Sequence, residues 1–258
     1  MNDNEDQMEV FGDSQALMVA AAERFVALAK RAVEAHGLFT VALSGGSTPK
    51  ALYSLLATDK DLSDEIPWSK THFFFGDERH VPPEHPESNF RMASEAMFPV
   101  RRTEQLHLHR VLSELNDASH AAQEYESDLR DFFGPLRLVE GGFPRFDLIF
   151  LGMGPDGHTA SLFPDSAALN ESSRWVVANW VEKFKTDRIT MTFPVLNAAA
   201  EVMVLVAGAE KSAMVSQVLG SQSDEAKFPI QRIRPRRGVK RWMLDHAAAE
   251  GIALGTLS

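Results

Sequence analysis

The sequence lacks cysteine altogether, which excludes disulfide bonds, thiolate metal ligands and a cysteine nucleophile. It also lacks any apolar run approaching the roughly 20 residues that a membrane-spanning helix needs. Residues 1–6 are acidic and polar, whereas a secretory signal begins with basic residues and continues with an apolar stretch. We therefore expect a cytoplasmic protein that has no membrane partner.

Positively charged residues are fewer than negatively charged ones: the sequence has 26 Lys and Arg residues and 36 Asp and Glu residues, which gives a net charge of −10. Binding of nucleic acid requires a broad basic surface, so we expect no nucleic-acid partner. A small anionic ligand remains compatible with this charge, since it needs only a few local cations and amides. The basic run at residues 232–241 predicts a solvated face, or a region that attracts an anionic substrate. The sequence shows no long exposed apolar stripe, and we expect a monomer.

The rest of the composition is that of an ordinary globular protein, with 44% hydrophobic and 24% charged residues. We expect residues 1–12 to be a flexible acidic lead. Residues 13–258 contain no low-complexity linker and no break in composition. They are therefore predicted to form one domain.

Apolar strands alternate with helices along this domain. Asp13 and Ser14 begin an amphipathic helix whose predicted stop is Gly37, and Pro49 suits the first turn of a second helix. The other predicted helices cover residues 88–97, 117–133 and 210–219, and the predicted strands cover 38–43, 72–75, 146–151, 175–177, 188–193 and 202–206. This alternation predicts an α/β fold of the doubly wound, Rossmann-like type, with a mostly parallel sheet flanked by helices.

Polar, glycine-rich segments follow three of the predicted strands, at residues 44–48, 76–80 and 152–158. In open parallel sheets, ligands bind outside the carboxyl ends of the strands. The three loops are therefore predicted to form one site.

The first loop reads Ser44-Gly45-Gly46-Ser47-Thr48. Its glycines allow close approach of the backbone to a ligand, its hydroxyls are donors, and the following helix start offers free amides, a combination that suits a phosphate. The loop is not a Walker A motif, because the Gly-Lys-Ser/Thr ending is missing. A tight turn with a Ser or Thr cap is the alternative interpretation.

The second loop, residues 76–83, concentrates ionisable side chains at a strand end. Arg79 has the planar fork that binds phosphate, and Asp77 is placed to orient a polar group. The alternative is a solvated turn with a surface ion pair, worth under about 1 kcal/mol.

The third loop, residues 152–158, matches the dinucleotide pattern G-x-G-x-x-G. We reject that function because Asp156 would face a pyrophosphate, Pro155 removes an amide, and no ribose-binding acid follows at the required distance. The loop instead presents His158 beside Asp156, and an imidazole suits proton transfer near neutral pH. A capping or otherwise satisfied histidine is the alternative.

His107 and His109 have the spacing of two metal ligands on one face of a strand. No third ligand is evident nearby in the sequence, so we interpret them as a solvent-facing strand edge and predict no metal site.

Together these motifs resemble the 6-phosphogluconolactonase family, which belongs to a larger group that includes glucosamine-6-phosphate deaminases. The resemblance runs in order through nearly the whole chain, and its third stretch is the most specific. The matching stretches are residues 43–49, 76–82, 88–89, 151–164, 188–190, 208–212 and 242–245.

The resemblance implies hydrolysis of 6-phosphogluconolactone to 6-phosphogluconate in the oxidative pentose phosphate pathway, without a metal or a cofactor. It implies that His158 is the general base and that Asp156 shapes the catalytic site beside it. The residues expected to bind the phosphate, to guide its approach or to shape the site are Ser44, Gly45, Gly46, Ser47, Thr48, Asp77, Arg79, Asn89, Gly157, Arg188 and Lys211. Amides of the glycine-rich loops are candidates for binding the oxyanion.

Two other functions stay open at this point. Deaminases of the larger group typically carry an acid five residues after the loop histidine and lack the arginine after the Asp-Glu pair; this chain has Phe163 and Arg79 there. Both differences favour the lactonase. A sugar-phosphate sensor is the third possibility, and it would bind 6-phosphogluconate without turning over any substrate.

Overall fold

The computed structural model describes residues 6–98, 106–220, 224–225 and 227–252. Its centre is a sheet of seven strands, and every neighbouring pair is parallel. In the order in which they lie side by side, the strands are β1 Gln7–Phe11, β12 Val239–Asp245, β11 Glu201–Val206, β8 Leu148–Leu151, β2 Phe39–Leu43, β3 Thr71–Phe75 and β5 His107–Leu108. The predicted single-domain α/β fold is therefore confirmed.

Helices cover both faces of this sheet. They are α1 Ser14–His36, α2 Ser47–Thr58, α3 Lys60–Glu65, α4 Asn89–Met97, α5 Ala118–Leu136, α6 Phe193–Leu196, α7 Ser212–Leu219 and α8 His246–Ala249. The predicted ends of α1 are confirmed. The Asp13 carboxylate accepts a hydrogen bond from the Ala16 amide, and Gly37 stops the helix at a φ of 90°.

The core is divided into two layers by the sheet. Because side chains alternate along a strand, Phe73 and Phe75 of β3 face the layer built on α1 and α2, whereas Phe74 faces the layer built on α5 and α7. Burial on both faces explains why the strands read as continuous apolar runs. The carboxyl ends of these strands are left to carry the polar loops.

A second sheet was not anticipated. It is antiparallel, in the order β4-β10-β9, and consists of β4 Asp77–Arg79, β9 Val176–Val181 and β10 Thr186–Met191. The prediction that residues 175–177 and 188–193 belong to the parallel sheet is wrong, because these segments pair in the antiparallel sheet. The short turn 182–185 between β9 and β10 permits antiparallel pairing alone, since a parallel connection needs a dozen or more residues. A small hairpin of β6 Val139–Glu140 and β7 Phe143–Pro144 completes the strands.

The structure differs from two expectations, the flexible lead near the start of the chain and the solvated basic run near its end. Residues 1–5 of the expected flexible lead lie outside the described residues, but Gln7–Phe11 forms β1, which pairs with β12. Two members of the basic run, Lys240 and Arg241, lie in β12 and are buried rather than solvated. The acidic start compensates them, because Asp6 pairs with Lys240 and Glu9 pairs with Arg241. Backbone pairing and charge compensation therefore add the lead to the sheet.

None of the described helices combines the length and the apolar character that crossing a membrane requires.

Candidate active site

A cavity of about 280 Å³ lies at the carboxyl edge of the parallel sheet, where the three predicted loops meet. The predicted site residues that line it are Ser44, Gly45, Gly46, Ser47, Thr48, Asp77, Arg79, Asn89, His158 and Lys211. Three others, Asp156, Gly157 and Arg188, are not among the lining residues, but each contacts one of them: Asp156 bonds His158, the Gly157 amide donates to the Gly154 carbonyl, and Arg188 pairs with Arg79. The structure thus brings together residues that are far apart in the sequence.

The first loop is shaped by close packing of its backbone. A Cβ on Gly45 would collide with the side-chain oxygen of Asn89, and Gly46 has a φ of 108°, which favours glycine. The Tyr53 hydroxyl bonds both the amide and the carbonyl of Ser44, at 2.9 and 3.1 Å. The Ser44 hydroxyl is buried in the cavity wall and has no protein partner. It is therefore available to a ligand.

The first part of the second loop forms a strand, β4, in which Asp77 and Glu78 are buried, so this part is not a solvated turn. The Glu78 side chain is only 1% exposed and accepts hydrogen bonds from the amides of Asn89 at 2.7 Å and Phe90 at 2.8 Å. Burial raises the pKa of Glu78, and these amides offset part of that rise. Glu78 therefore holds the first residues of α4 in position beside the cavity.

Asp77 organises polar groups in the wall of the cavity. Its carboxylate accepts a hydrogen bond of 2.6 Å from the Ser161 hydroxyl. The Asn89 side-chain nitrogen donates to the Asp77 carbonyl at 2.9 Å, which fixes the direction of the amide group. The Asn89 side-chain oxygen is consequently buried without a protein partner. A ligand hydroxyl is the kind of group that would satisfy it.

Two guanidinium groups are adjacent in the second sheet. Arg79 of β4 pairs in register with Arg188 of β10, and Arg79 is held by the Glu87 carbonyl. Arg188 is 8% exposed, and its Nε has no partner. Burial lowers the pKa of Arg188 and the neighbouring Arg79 lowers it further, while Asp77 acts in the opposite direction. Two close cations in this setting are stabilised by an anion.

The third loop holds the imidazole of His158. Its Nδ1 hydrogen-bonds to the Asp156 carboxylate, and its ring stacks on Phe163 with centroids 4.0 Å apart. A Cβ on Gly154 would collide with this ring, so glycine is required there. Gly157 has a φ of 74° and packs against Phe228, which gives it a conformational part in the loop.

The protonation of this pair follows from its contacts. Burial raises the pKa of Asp156, but the hydrogen bond from the His158 side chain, the charge of that ring and backbone hydrogen bonds together lower it more, so the pKa lies far below the usual range. Asp156 is therefore an ionised acceptor. Nδ1 of His158 must be the donor, which leaves Nε2 as the basic nitrogen of the neutral ring.

Lys211 lies five residues after the end of β11 and lines the cavity from that side. Its ammonium group donates to the Met153 carbonyl at 3.0 Å, so it spans the space between β11 and the third loop. With Arg79, it gives the cavity two lining cations.

Several residues that shape the site were missed in the sequence. Tyr53, Glu78 and Ser161 carried no signal of their own, although Ser161 lies in the most specific of the matching stretches. Lys183 contacts Asp156 at 3.5 Å, and Phe184 lies against Phe163. Their segment is a short charged turn, which in sequence looks like any exposed hairpin.

The two histidines considered as metal ligands lie elsewhere. His107 is on edge strand β5 and approaches the Ser69 carbonyl, while His109 bonds Asp128 and the ring of His72. In the part of the chain that the structure describes, no three His, Asp or Glu residues are grouped to hold a metal ion.

Comparisons with known proteins agree with one another. The model of the family described as Glucosamine-6-phosphate isomerases/6-phosphogluconolactonase matches residues 12–242. A 6-phosphogluconolactonase of Nostoc sp. is 38% identical, over 96% of this chain and 98% of that protein. A protein of Oryza sativa subsp. indica named probable 6-phosphogluconolactonase 3, chloroplastic, is 36% identical, over 93% of this chain and 74% of that protein. The solved structure of 6-phosphogluconolactonase from Trypanosoma cruzi is 31% identical, with a TM-score of 0.81 and coverage of 97% of this chain and 98% of that chain.

Proposed function

The chain belongs to the family of glucosamine-6-phosphate isomerases and 6-phosphogluconolactonases, and from that membership we propose that it hydrolyses 6-phospho-D-glucono-1,5-lactone to 6-phosphogluconate. This reaction belongs to the oxidative pentose phosphate pathway. The observation that carries the proposal is the placement of one carboxylate-held imidazole in a cavity whose other walls supply cations, amides and hydroxyls.

The phosphate binds at the first loop and its neighbouring cations. The free amides at the start of α2 and the unpartnered Ser44 hydroxyl are donors, and Ser47 and Thr48 lie beside them. Arg79 and Lys211 supply charge at the cavity wall, and Arg188 lies opposite Arg79 on the neighbouring strand. Holding the phosphate positions the lactone ring, which removes much of the entropic cost of the reaction.

His158 is the general base. Nε2 takes a proton from water while the water oxygen attacks the lactone carbonyl, and a positioned base of this kind typically contributes about 10²–10⁴-fold. Amides of the glycine-rich loops stabilise the oxyanion. The His158 imidazolium then gives its proton to the ring oxygen of the lactone as the bond between that oxygen and the carbonyl carbon breaks. The water supplies the acid's new hydroxyl group and the proton of the sugar hydroxyl, so the reaction balances without an external reactant.

Asp156 acts through His158. By accepting from Nδ1 it keeps the lone pair on Nε2, and it stabilises the imidazolium that forms during attack. Water attacks the carbonyl directly, so this mechanism uses no serine nucleophile. Neither Ser44 nor Ser47 lies on the G-x-S-x-G turn that presents a nucleophilic serine. The apolar face of Phe163 occupies the place next to the ring where a deaminase would need a carboxylate.

The test is a hydrolysis assay on freshly made lactone at controlled pH, with the spontaneous rate subtracted. We expect turnover by the wild-type chain, loss of turnover in His158→Asn, and no release of ammonia from glucosamine 6-phosphate. Release of ammonia would identify a deaminase. Binding of 6-phosphogluconate by a chain that turns over neither substrate would identify a sensor.

Location and assembly are part of the same proposal. We propose a cytoplasmic monomer that has a small phosphorylated lactone as its partner. The rice relative's name places that protein in a chloroplast, so fractionation of the source cells is the direct test of location. Sedimentation equilibrium tests the monomer, and a dimer mass at micromolar concentration would contradict it.

A further inference from the structure

We propose that the turn between β9 and β10 contributes two positioning residues to the active site: Lys183, which holds the Asp156 carboxylate, and Phe184, which supports Phe163 and Arg188. This inference rests on the proposed function, because it concerns the same base and the same phosphate-binding cations. It concerns a segment that comes from the second sheet and lies outside the three loops.

Lys183 completes a chain of charges behind the imidazole. One oxygen of the Asp156 carboxylate takes the hydrogen bond from His158, and the other lies 3.5 Å from the Lys183 ammonium group. The carboxylate is therefore held from both sides. An aspartate held in this way has less freedom to rotate away from Nδ1, so the ring keeps its orientation.

The neighbouring lysine has a different partner. Lys185 pairs with Glu182, which also accepts a hydrogen bond of 2.9 Å from the Trp180 indole. One lysine of the turn thus binds within the turn, and the other reaches across to the third loop. This difference makes Lys185 a matched control for Lys183.

Phe184 connects the two functional halves of the site. Its ring lies 5.8 Å from that of Phe163, edge to face, and Phe163 stacks directly on His158. The Arg188 guanidinium lies 5.3 Å from the centroid of the same Phe184 ring. Phe184 is 46% exposed, and the Lys183 ammonium group lies 5.5 Å from the centroid of its ring. A hydrogen bond of 3.0 Å from the Phe184 amide to the Val181 carbonyl holds the turn in place.

Removal of the Lys183 charge should affect the chemical step more than substrate binding. Lys183 reaches the carboxylate that holds Nδ1 of His158, and it is not among the residues that line the cavity. Without Lys183, the Asp156 carboxylate is held from one side, so the imidazole leaves its working orientation more often.

The first experiment compares Lys183→Met with Lys185→Met, which remove the same charge from the same turn. For Lys183→Met we expect kcat to fall about two- to fivefold with KM little changed, and the Nδ1 proton signal of His158 in NMR to exchange faster with solvent. Lys185→Met should leave kcat and this signal unchanged, and Lys183→Arg should restore both. Equal effects in the two methionine variants would overturn the role of Lys183. The NMR measurement needs no substrate, so it decides this point even if the chain hydrolyses no lactone.

The second experiment compares Phe184→Ala with Trp180→Ala, because Trp180 is similarly exposed (50%) on the same hairpin and its indole is bonded to Glu182 instead of the site. We expect Phe184→Ala to lower kcat/KM about two- to fivefold, chiefly through KM, as loss of a cation–π contact to Arg188 implies. The kcat/KM of Trp180→Ala should equal that of the wild type within experimental error. Equal effects of the two changes, or an unchanged Phe184→Ala enzyme, would overturn the role of Phe184. A wild-type chain without turnover would instead contradict the proposed function.

Discussion

The imidazole of His158 is held on two sides, by the Asp156 carboxylate at Nδ1 and by the ring of Phe163 stacked 4.0 Å away. The carboxylate fixes which nitrogen carries the proton, and the aromatic ring fixes the plane of the imidazole. Nε2 is the nitrogen left to act as a base. The pair His158–Asp156 should therefore behave as one unit in catalysis, and this can be measured.

Replacing Asp156 by Asn should lower kcat by roughly 10²–10⁴-fold, because an amide can donate to Nδ1 and so favour the wrong tautomer. His158→Asn should lower kcat by a similar factor. The double variant should be little worse than either single variant, since residues that act as a unit are not additive. Multiplicative losses in the double variant would separate the two roles. Thermal unfolding of each variant serves as the control for folding.

Substitution of Gly154 should disturb the base without touching its chemistry. A Cβ at Gly154 would collide with the ring of His158, whereas a Cβ at Gly152 in the same loop would meet no atom within 4 Å. We expect Gly154→Ala to reduce kcat at least about tenfold, since a base must stay within hydrogen-bond reach of its proton, and Gly152→Ala to retain it. Comparable activity of the two variants would show that the imidazole does not need its present position.

Lys211 should contribute to substrate binding more than to the chemical step. Loss of a charge-assisted contact to phosphate predicts a KM roughly 10- to 100-fold higher in Lys211→Ala, with kcat little changed. Lys30→Ala, which removes an exposed lysine paired with Glu65, is the matched control. A large fall in kcat at constant KM would instead place Lys211 in the chemistry.

Acid should destabilise the protein through His72, remote from the active site. Burial, together with the neighbouring rings of His107 and His109, lowers the pKa of His72 to about 4. The unfolded chain therefore binds one proton more between about pH 4 and pH 6.5, and stability falls as the pH falls through that window.

The size of this effect is limited by solvent, because His72 is only half buried. We expect His72→Phe to remove roughly 1–2 kcal/mol of the acid-dependent loss in the free energy of unfolding, measured with urea at pH 7 and pH 4.5. His120→Gln, at an exposed position on α5, should leave the pH dependence of the free energy of unfolding unchanged. If His72→Phe also left it unchanged, His72 would not be the group that causes the loss of stability in acid.

The parallel sheet and the three site loops were predictable because their signals are local. Continuous apolar runs indicate strands buried on both faces, and polar glycine-rich segments after those runs mark the carboxyl edge of such a sheet. The capping pair Asp13 and Gly37 was equally readable from the sequence, as was the helix after the first loop. Ten of the predicted site residues do line one cavity.

The second sheet was not predictable in the same way. Residues 176–181 and 186–191 read as strands, but a strand pattern does not state its partner or its direction. The membership of β1 was hidden for a related reason. Its short, partly polar sequence resembles a loose lead, and it becomes an edge strand because β12 offers an open row of backbone groups and two cations that need partners.

By itself, then, the sequence determined which elements form, which loops end the strands, and which imidazole and cations those loops carry, since these depend on neighbours along the chain. Tertiary structure alone decided that β10 places Arg188 next to Arg79, that Glu78 is buried against α4, and that Lys183 reaches Asp156. Those contacts join residues separated by up to about a hundred positions. They depend on how the two sheets pack, and no local pattern of polarity records that.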